Sequence, residues 1–394
     1  LTSSNRSLRS QAGAFYFTIF VILSSTFFIR SSNNMMVTST PLLAKYFLGF
    51  NQGEIGLVTA ISYLTTLVTT SIINVRLSSR ERRVAFIVSL ATYTAVFIGL
   101  YDTNPIAIWF LVALAGASLG MVMPNLITSA GLFEDQKTRE RVLSLYTVSL
   151  SLSLVVGPAV ESYLLKFISL RETFLVFSIF ALFATILSPF LAFPEEEMVK
   201  EKIRVLSNTG FRSSLINIMS YNIPFTILLA FGGIYEHEKF GAPLSLISVL
   251  FSLFFLSSFI SRLMISIFPL KRIVRSMMAS MVMTALGLVL MISSGNILYF
   301  SISLLVLGVP HGLTYPLSIL SISRSYGKNE RNVANSYFFS FMTGIGIVVS
   351  SLGGFLIGRF GYGNVFLGML LLVVLLFISL NINIRWGKKS PSEV

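Results

Sequence analysis

Three side chains inside otherwise apolar stretches carry groups able to do chemistry. Arg30 lies in the run FVILSSTFFIRSSNNMM. A guanidinium there costs at least about 2.5–3.5 kcal/mol on insertion scales, so it needs water, an anionic ligand or a carboxylate partner. Counted at about 1.5 Å per residue from Gly13 it falls near the outer surface, and counted back from Pro41 it falls nearer the middle. Both a snorkelling interfacial arginine and a cavity-facing cation are therefore open, and a long tilted span favours mid-to-outer depth. Glu161 is the acid placed well inside an apolar run. It could hold and release a proton, or pair with Lys166 or Arg30. His311 follows Pro310, and its imidazole could bond a ligand hydroxyl, change charge near pH ~6.5, or simply be satisfied by a neighbouring hydroxyl. His237, in Tyr235-Glu236-His237-Glu238, reads as a solvated residue at the water boundary, and two acids flanking one histidine do not make a metal site. The chain has no cysteine, which excludes disulfides, thiol catalysis and thiolate metal sites. No cofactor and no metal are expected.

The elements that hold these groups are membrane-length. Apolar residues make up 54% of the 394 and charged residues only 11%, with a mean hydropathy of +0.81. A water-soluble domain cannot hide that much apolar surface. A bilayer core about 30 Å thick needs roughly 20 helical residues per crossing. The sequence predicts twelve such spans, at 13–43, 54–77, 84–101, 106–130, 142–165, 173–193, 213–235, 244–268, 276–294, 297–323, 333–358 and 364–384. The net charge of +13 is not a nucleic-acid signal. With the N-terminus inside, the outer segments hold only Lys45, Lys166, Arg171, Lys239 and Arg359. The other lysines and arginines are cytoplasmic, apart from Arg30 and Arg262 within spans. That asymmetry predicts cytoplasmic termini, and a basic face able to wrap DNA is lacking. Arg6 and Arg9 precede the first apolar run, but no small-x-small cleavage site follows, so an uncleaved first span is expected.

The spans are duplicated. Gly116-xxx-Gly120-xxx-Pro124 recurs as Gly308-xxx-Gly312-xxx-Pro316. Glycines four apart share one helix face and admit a second backbone, and a proline one turn on loosens the helix at that depth. The charged punctuation after each copy is also shared: Glu140-Arg141-Val142 and Glu330-Arg331-Asn332-Val333. The longest hydrophilic stretch, 194–212, is expected to form a short amphipathic surface helix. It divides the chain into a six-helix bundle at 1–193, a cytoplasmic linker at 194–212, and a second bundle at 213–394. Duplicated bundles with loosened helices are the architecture of alternating-access carriers.

With these residues on the page, the chain resembles a twelve-helix member of the major facilitator superfamily over essentially its whole length. Pro41-Leu42-Leu43 … Gly56-Leu57-Val58-Thr59-Ala60-Ile61-Ser62 resembles the passage from helix 1 to helix 2. Val75-Arg76-Leu77-Ser78-Ser79-Arg80-Glu81-Arg82-Arg83 sits where the family has its glycine/aspartate/arginine loop. Val75 replaces the first glycine, a serine replaces the aspartate, and the run is one residue short. Gly157-Pro158 resembles the start of the antiporter motif, with Glu161-Ser162 in place of its next glycines. Arg262-Leu263 is similar to Arg76-Leu77 in the second half.

The resemblance implies an all-α integral membrane protein, with twelve transmembrane helices in two pseudo-symmetric bundles and helices 1, 4, 7 and 10 around a central cavity. Substrate contacts are then expected from Arg30, Asn33, Asn34, Asn125, Asn217, Tyr221, Asn222, His311, Thr314 and Tyr315. Glu161 and His311 are the candidates for proton coupling. Arg76, Arg80, Arg82, Arg83 and Arg262 are expected at gates, and Gly116, Gly120, Pro124, Gly157, Pro158, Gly308, Gly312 and Pro316 at helix bends. No HExxH, GxSxG or Walker-type loop is present, so neither enzyme nor nucleotide-driven pump is expected. A channel would need a ring of like charges or a carbonyl filter. The expectation is a plasma-membrane secondary carrier of a small organic solute, proton-linked by analogy with the superfamily. It would act as a monomer in the lipid bilayer, with substrate and proton as partners. Multidrug-type efflux of amphipathic compounds, facilitated uniport, anion exchange and a non-transporting receptor are the alternatives.

Overall fold

The structure, a computed structural model, describes residues 3–131, 133, 135–191, 193, 204–268 and 272–387. Its order is α1 (Ser3–Tyr46), α2 (Gln52–Val68), α3 (Ser79–Tyr101), α4 (Ala107–Ala130), α5 (Gln136–Leu164), α6 (Leu170–Leu187), α7 (Thr209–Phe240), α8 (Leu244–Ile267), α9 (Ile273–Ser293) and α10 (Ile297–Ser325). A helical run of 60 residues, Lys328–Gly387, follows. At about 1.5 Å per residue that run is far too long for one crossing. It turns at Gly361, whose φ of 77° and ψ of 164° lie in a region essentially restricted to glycine. The arms before and after Gly361 are α11 and α12. Among the described residues, eleven helices are long and apolar enough to cross a membrane, this run counted once.

Several helices start earlier than hydropathy predicts, where polar caps extend them. Asp135 accepts the Thr138 amide at 2.8 Å and its hydroxyl at 2.6 Å, so α5 begins six residues before the expected span. These bonds, the hydroxyl first, hold the Asp135 carboxyl below the usual range. Asn208 caps α7 by accepting from the Phe211 amide at 3.0 Å. A single turn at Val205–Ser207 precedes it. The amphipathic helix expected within 194–212 falls mainly on 194–203, outside the described residues.

The chain forms two compact units, 1–36 with 64–197, and 37–63 with 198–394. Within the first, α1 packs on α5, α2 on α4 and α3 on α6. A Cβ on Gly157 would meet the Ser31 carbonyl at 2.6 Å, and the Ser149 hydroxyl donates to the Leu23 carbonyl at 2.8 Å. A Cβ on Gly120 would meet the Thr66 carbonyl at 2.6 Å. The Thr66 and Thr70 hydroxyls donate to the Gly116 and Gly120 carbonyls at 2.9 and 2.8 Å. The second of these bonds replaces the one lost at Pro124, which has no N–H for the carbonyl four residues back. Helix α4 therefore continues through its proline. Thr94 and Thr185 join α3 to α6 at 3.0 Å.

The second unit repeats these pairings six helices later. Asn222 of α7 donates to the Met342 carbonyl of α11 at 3.2 Å. Gly308 and Gly312 of α10 lie against the Phe254 and Ser258 carbonyls of α8. Met277 and Met281 of α9 share a core with Leu376 and Leu380 of α12. The end of this unit at the α7–α8 turn, termed distal, adds one feature. The hairpin 37–63, formed by the end of α1 and the start of α2, packs on α7 and α11. Gly56 and Gly354 bring two backbones into contact there.

Candidate functional site

Arg30 lies midway along the apolar part of α1, Phe15–Tyr46. Its side chain turns into the first unit, onto α4. Nη1 lies 3.7 Å from the Met123 sulfur of α4, and the charge interacts with the phenols of Tyr146 on α5 and Tyr93 on α3. Arg30 Nε and the Tyr93 hydroxyl are buried with no hydrogen-bond partner among the described residues. Buried polar atoms are rarely left so. The two residues, on α1 and α3, lie near enough to interact electrostatically. Tyr93 carries no sequence signal; a tyrosine in an apolar span reads as packing.

The other polar residues of this unit divide. Asn33 and Asn34 are buried on α1 one turn beyond Arg30, and Asn33 Oδ1 has no hydrogen-bond partner among the described residues. Asn125 donates to Asn74 Oδ1 at 2.9 Å and to the Met121 carbonyl at 2.7 Å, so its amide ties α4 to the short helical turn Asn74–Arg76 that follows α2. Glu161 is fully buried on α5, one turn past Gly157-Pro158. In the loop before α3, Ser78 and Glu81 form a capping box. Arg82 turns back to the Leu77 carbonyl at 3.3 Å, and Arg83 reaches the Pro189 carbonyl at 2.6 Å. Arg76 and Arg80 are exposed.

In the second unit, Asn217 donates to the Thr314 carbonyl and the Ser318 hydroxyl, both at 2.9 Å. Thr314 also meets the Ser280 hydroxyl at 3.0 Å. These groups lock α7 to α10 and α9. Beside them lies an aromatic cluster around His311. Its Nδ1 is 2.7 Å from the Ser258 hydroxyl, and the rings of Phe225, Phe254, Phe255 and Tyr221 lie 4.5, 5.3, 5.4 and 5.6 Å away. The Tyr221 hydroxyl is buried with no hydrogen-bond partner among the described residues. Arg262, expected at a gate, interacts electrostatically with the phenols of Tyr221 and Tyr315. Asn222 is half-buried on the α11 side of α7.

Two expectations at the distal end are corrected. His237 is half-buried rather than solvated: Nδ1 is 2.8 Å from the Ala242 carbonyl and its ring lies 4.7 Å from that of Tyr46. Glu161 is not the sole acid enclosed within a span. Helix α7 runs five residues past its expected end at 235, because Gly241 in the left-handed conformation (φ 65°) closes it only after Phe240. Glu236 is thereby carried inside, fully buried.

The sequence profile of the Major Facilitator Superfamily matches residues 22–235 and 213–394. Among solved structures, the nucleoside transporter NupG is similar, with a TM-score of 0.76 and 14% identity over 93% of this chain and 99% of that one. A point mutant of the same transporter gives 0.74 over the same shares. A bacterial homolog of the human lysosomal transporter Spinster, in an inward-facing and occupied conformation, gives 0.70 and 11% identity over 97% of this chain and 99% of that one. At such identities these structures share the fold, and the profile match supplies the family. Spanning both repeated halves, it shows that this multi-pass membrane protein belongs to the Major Facilitator Superfamily, a transporter and not an enzyme.

Proposed function

We propose that this chain is a proton-linked secondary carrier of a small organic solute bearing an anionic group. It would sit in the plasma membrane with both termini cytoplasmic, its two six-helix halves alternating access. The support is Arg30, a guanidinium in the interior of the first unit whose Nε has no protein partner among the described residues and which has no carboxylate within salt-bridge distance among them. A charge so placed is compensated by a ligand that carries the opposite one. The fork of a guanidinium matches a carboxylate or phosphate, and the Tyr93 hydroxyl supplies an uncharged donor beside it. The aromatic cluster around His311 favours a second reading, efflux of planar amphipathic compounds, because stacked rings recognise flat apolar faces.

A stability screen separates the two, since a ligand raises the melting temperature of the state that it binds. Carboxylates, phosphate esters, neutral polar solutes and planar amphiphiles are tested on the purified protein. The expected result is protection by anionic solutes, lost in Arg30→Ala, and uptake of the protecting solute into proteoliposomes driven by an inward proton gradient. Protection by neutral amphiphiles alone would favour the second reading, and gradient-independent uptake would remove the proton.

A further inference from the structure

We propose that Glu236 is a proton-binding site, loaded as the distal hairpin 37–63 closes over α7. The inference deepens the proton-linked reading above and rests on it. Glu236 is fully buried, and neither of its carboxyl oxygens has a hydrogen-bond partner among the described residues. One turn back on the same helix, Gly233 looks onto Ile247 of α8 and Leu42 of α1, both apolar. The hairpin is held against the residues that follow Glu236 on α7 and against the α11–α12 turn. Lys45 pairs with Glu238 at 3.5 Å, the Tyr46 ring rests on His237, and Gln52 donates to the Tyr362 hydroxyl at 3.1 Å. Tyr362 also hydrogen-bonds Glu238.

The charged and titratable groups at this end of the second unit are all accounted for. They are Lys45, Tyr46 and Glu54 from the hairpin, Tyr235, His237, Glu238 and Lys239 on α7, Tyr299 at the start of α10, and Arg359 and Tyr362 around the α11–α12 turn; the distal turns of α8 and α9 contribute none. Lys45 is engaged by Glu238, and Lys239 by the Tyr235 hydroxyl at 2.6 Å and the Ser294 carbonyl at 2.8 Å. No cation lies within salt-bridge distance of Glu236 among the described residues.

A sealed carboxylate with no counter-charge carries a penalty of several kcal/mol, and a neutral acid a far smaller one. Closing the hairpin therefore transfers one proton from water to the Glu236 carboxylate, and opening it to water returns that proton. The sign follows from linkage: the closed form binds the extra proton, so falling pH favours closure. By the proposed topology the distal end is outside, so the proton is drawn from the outer solution.

The chain lacks cysteine, so a spin-label pair at Leu57→Cys and Gly363→Cys reports the hairpin alone. Both positions are exposed, and a Cβ at Gly363 meets nothing within 4 Å. The closed-to-open ratio should rise as pH falls, by up to about tenfold per unit, the limit for one proton. Glu236→Gln should hold the hairpin closed at every pH, while His237→Gln should leave the response in place. A response unchanged in Glu236→Gln, or abolished by His237→Gln, overturns the proposal. As a check that needs no Glu236→Gln protein, the protonated-acid carbonyl stretch in the infrared spectrum should shift in Glu236→Asp. An unshifted band assigns the proton elsewhere. No substrate enters these measurements, so they stand apart from the carrier reading: a normal gate response with gradient-independent uptake defeats that reading and leaves the proton site.

Discussion

At the scale of single residues, the protein bonds many of its intramembrane polar groups across helix contacts and leaves others open. Asn125, Thr314 and the amide nitrogen of Asn217 all found partners across helix contacts, which ties them to packing, although Asn217 Oδ1 has none among the described residues. Arg30 Nε, the Tyr93 and Tyr221 hydroxyls and the Glu236 carboxyl did not. An orphaned buried donor is worth about 1.5–3 kcal/mol once a charged partner reaches it. Arg30→Ala should therefore weaken binding of an anionic solute by about ten- to a hundred-fold. Arg30→Lys should recover only part of the loss, because the charge remains and the planar fork is gone. Tyr93→Phe should cost less than either. Titration of the protecting solute against each variant measures the order, and normal uptake by Arg30→Ala would remove the anion-binding reading while leaving the carrier.

At the scale of elements, two glycine pairs set how closely helices approach. Gly116 and Gly120 admit α2 onto α4, and Gly308 and Gly312 admit α8 onto α10, with Gly120 and both glycines of the second pair against backbone that cannot move aside like a flexible side chain. Overpacking a well-fitted contact costs about 1–3 kcal/mol, and here the obstruction is a carbonyl. Gly120→Leu and Gly312→Leu should each lower the thermal midpoint and the uptake rate well beyond Ala91→Leu, which places a leucine at an exposed position of α3. Equal melting and uptake for all three would mean that these contacts neither hold the bundle nor govern its cycling. Hydropathy placed the two devices at equivalent spans. It held no sign of the Thr70 hydroxyl that relieves Pro124.

At the scale of the whole molecule, the charge asymmetry predicts the orientation. Single cysteines at Ser207→Cys and Gly295→Cys, both exposed positions at opposite ends of the spans, test it in intact cells. An impermeant thiol reagent should label the second and spare the first. The reverse pattern would invert the topology, and with it the side from which Glu236 takes its proton. The same-end placement of both termini would survive, since an even number of crossings requires it.

The sequence by itself determined the solvent, the spans, the duplication and the family. These follow from local quantities: apolar run length, glycine and proline spacing, and the count of basic residues per loop. Even the turn at 359–363 was legible, as a gap between two spans, although only the backbone at Gly361 shows why a continuous helical run bends there. The tertiary structure alone decided which polar groups are satisfied. Arg30 and Asn125 look alike in sequence, each polar in an apolar helix, yet one is left open and the other is bonded to Asn74 at the end of the second span. Glu236 lies at a nominal water boundary and is fully buried, next to residues held by a hairpin nearly two hundred residues away in the chain. Lipid tails and helix interiors are equally apolar, so hydropathy cannot tell a lipid-facing position from one packed on protein. Only contacts between helices distant in sequence make that distinction, and they arise when the bundle assembles.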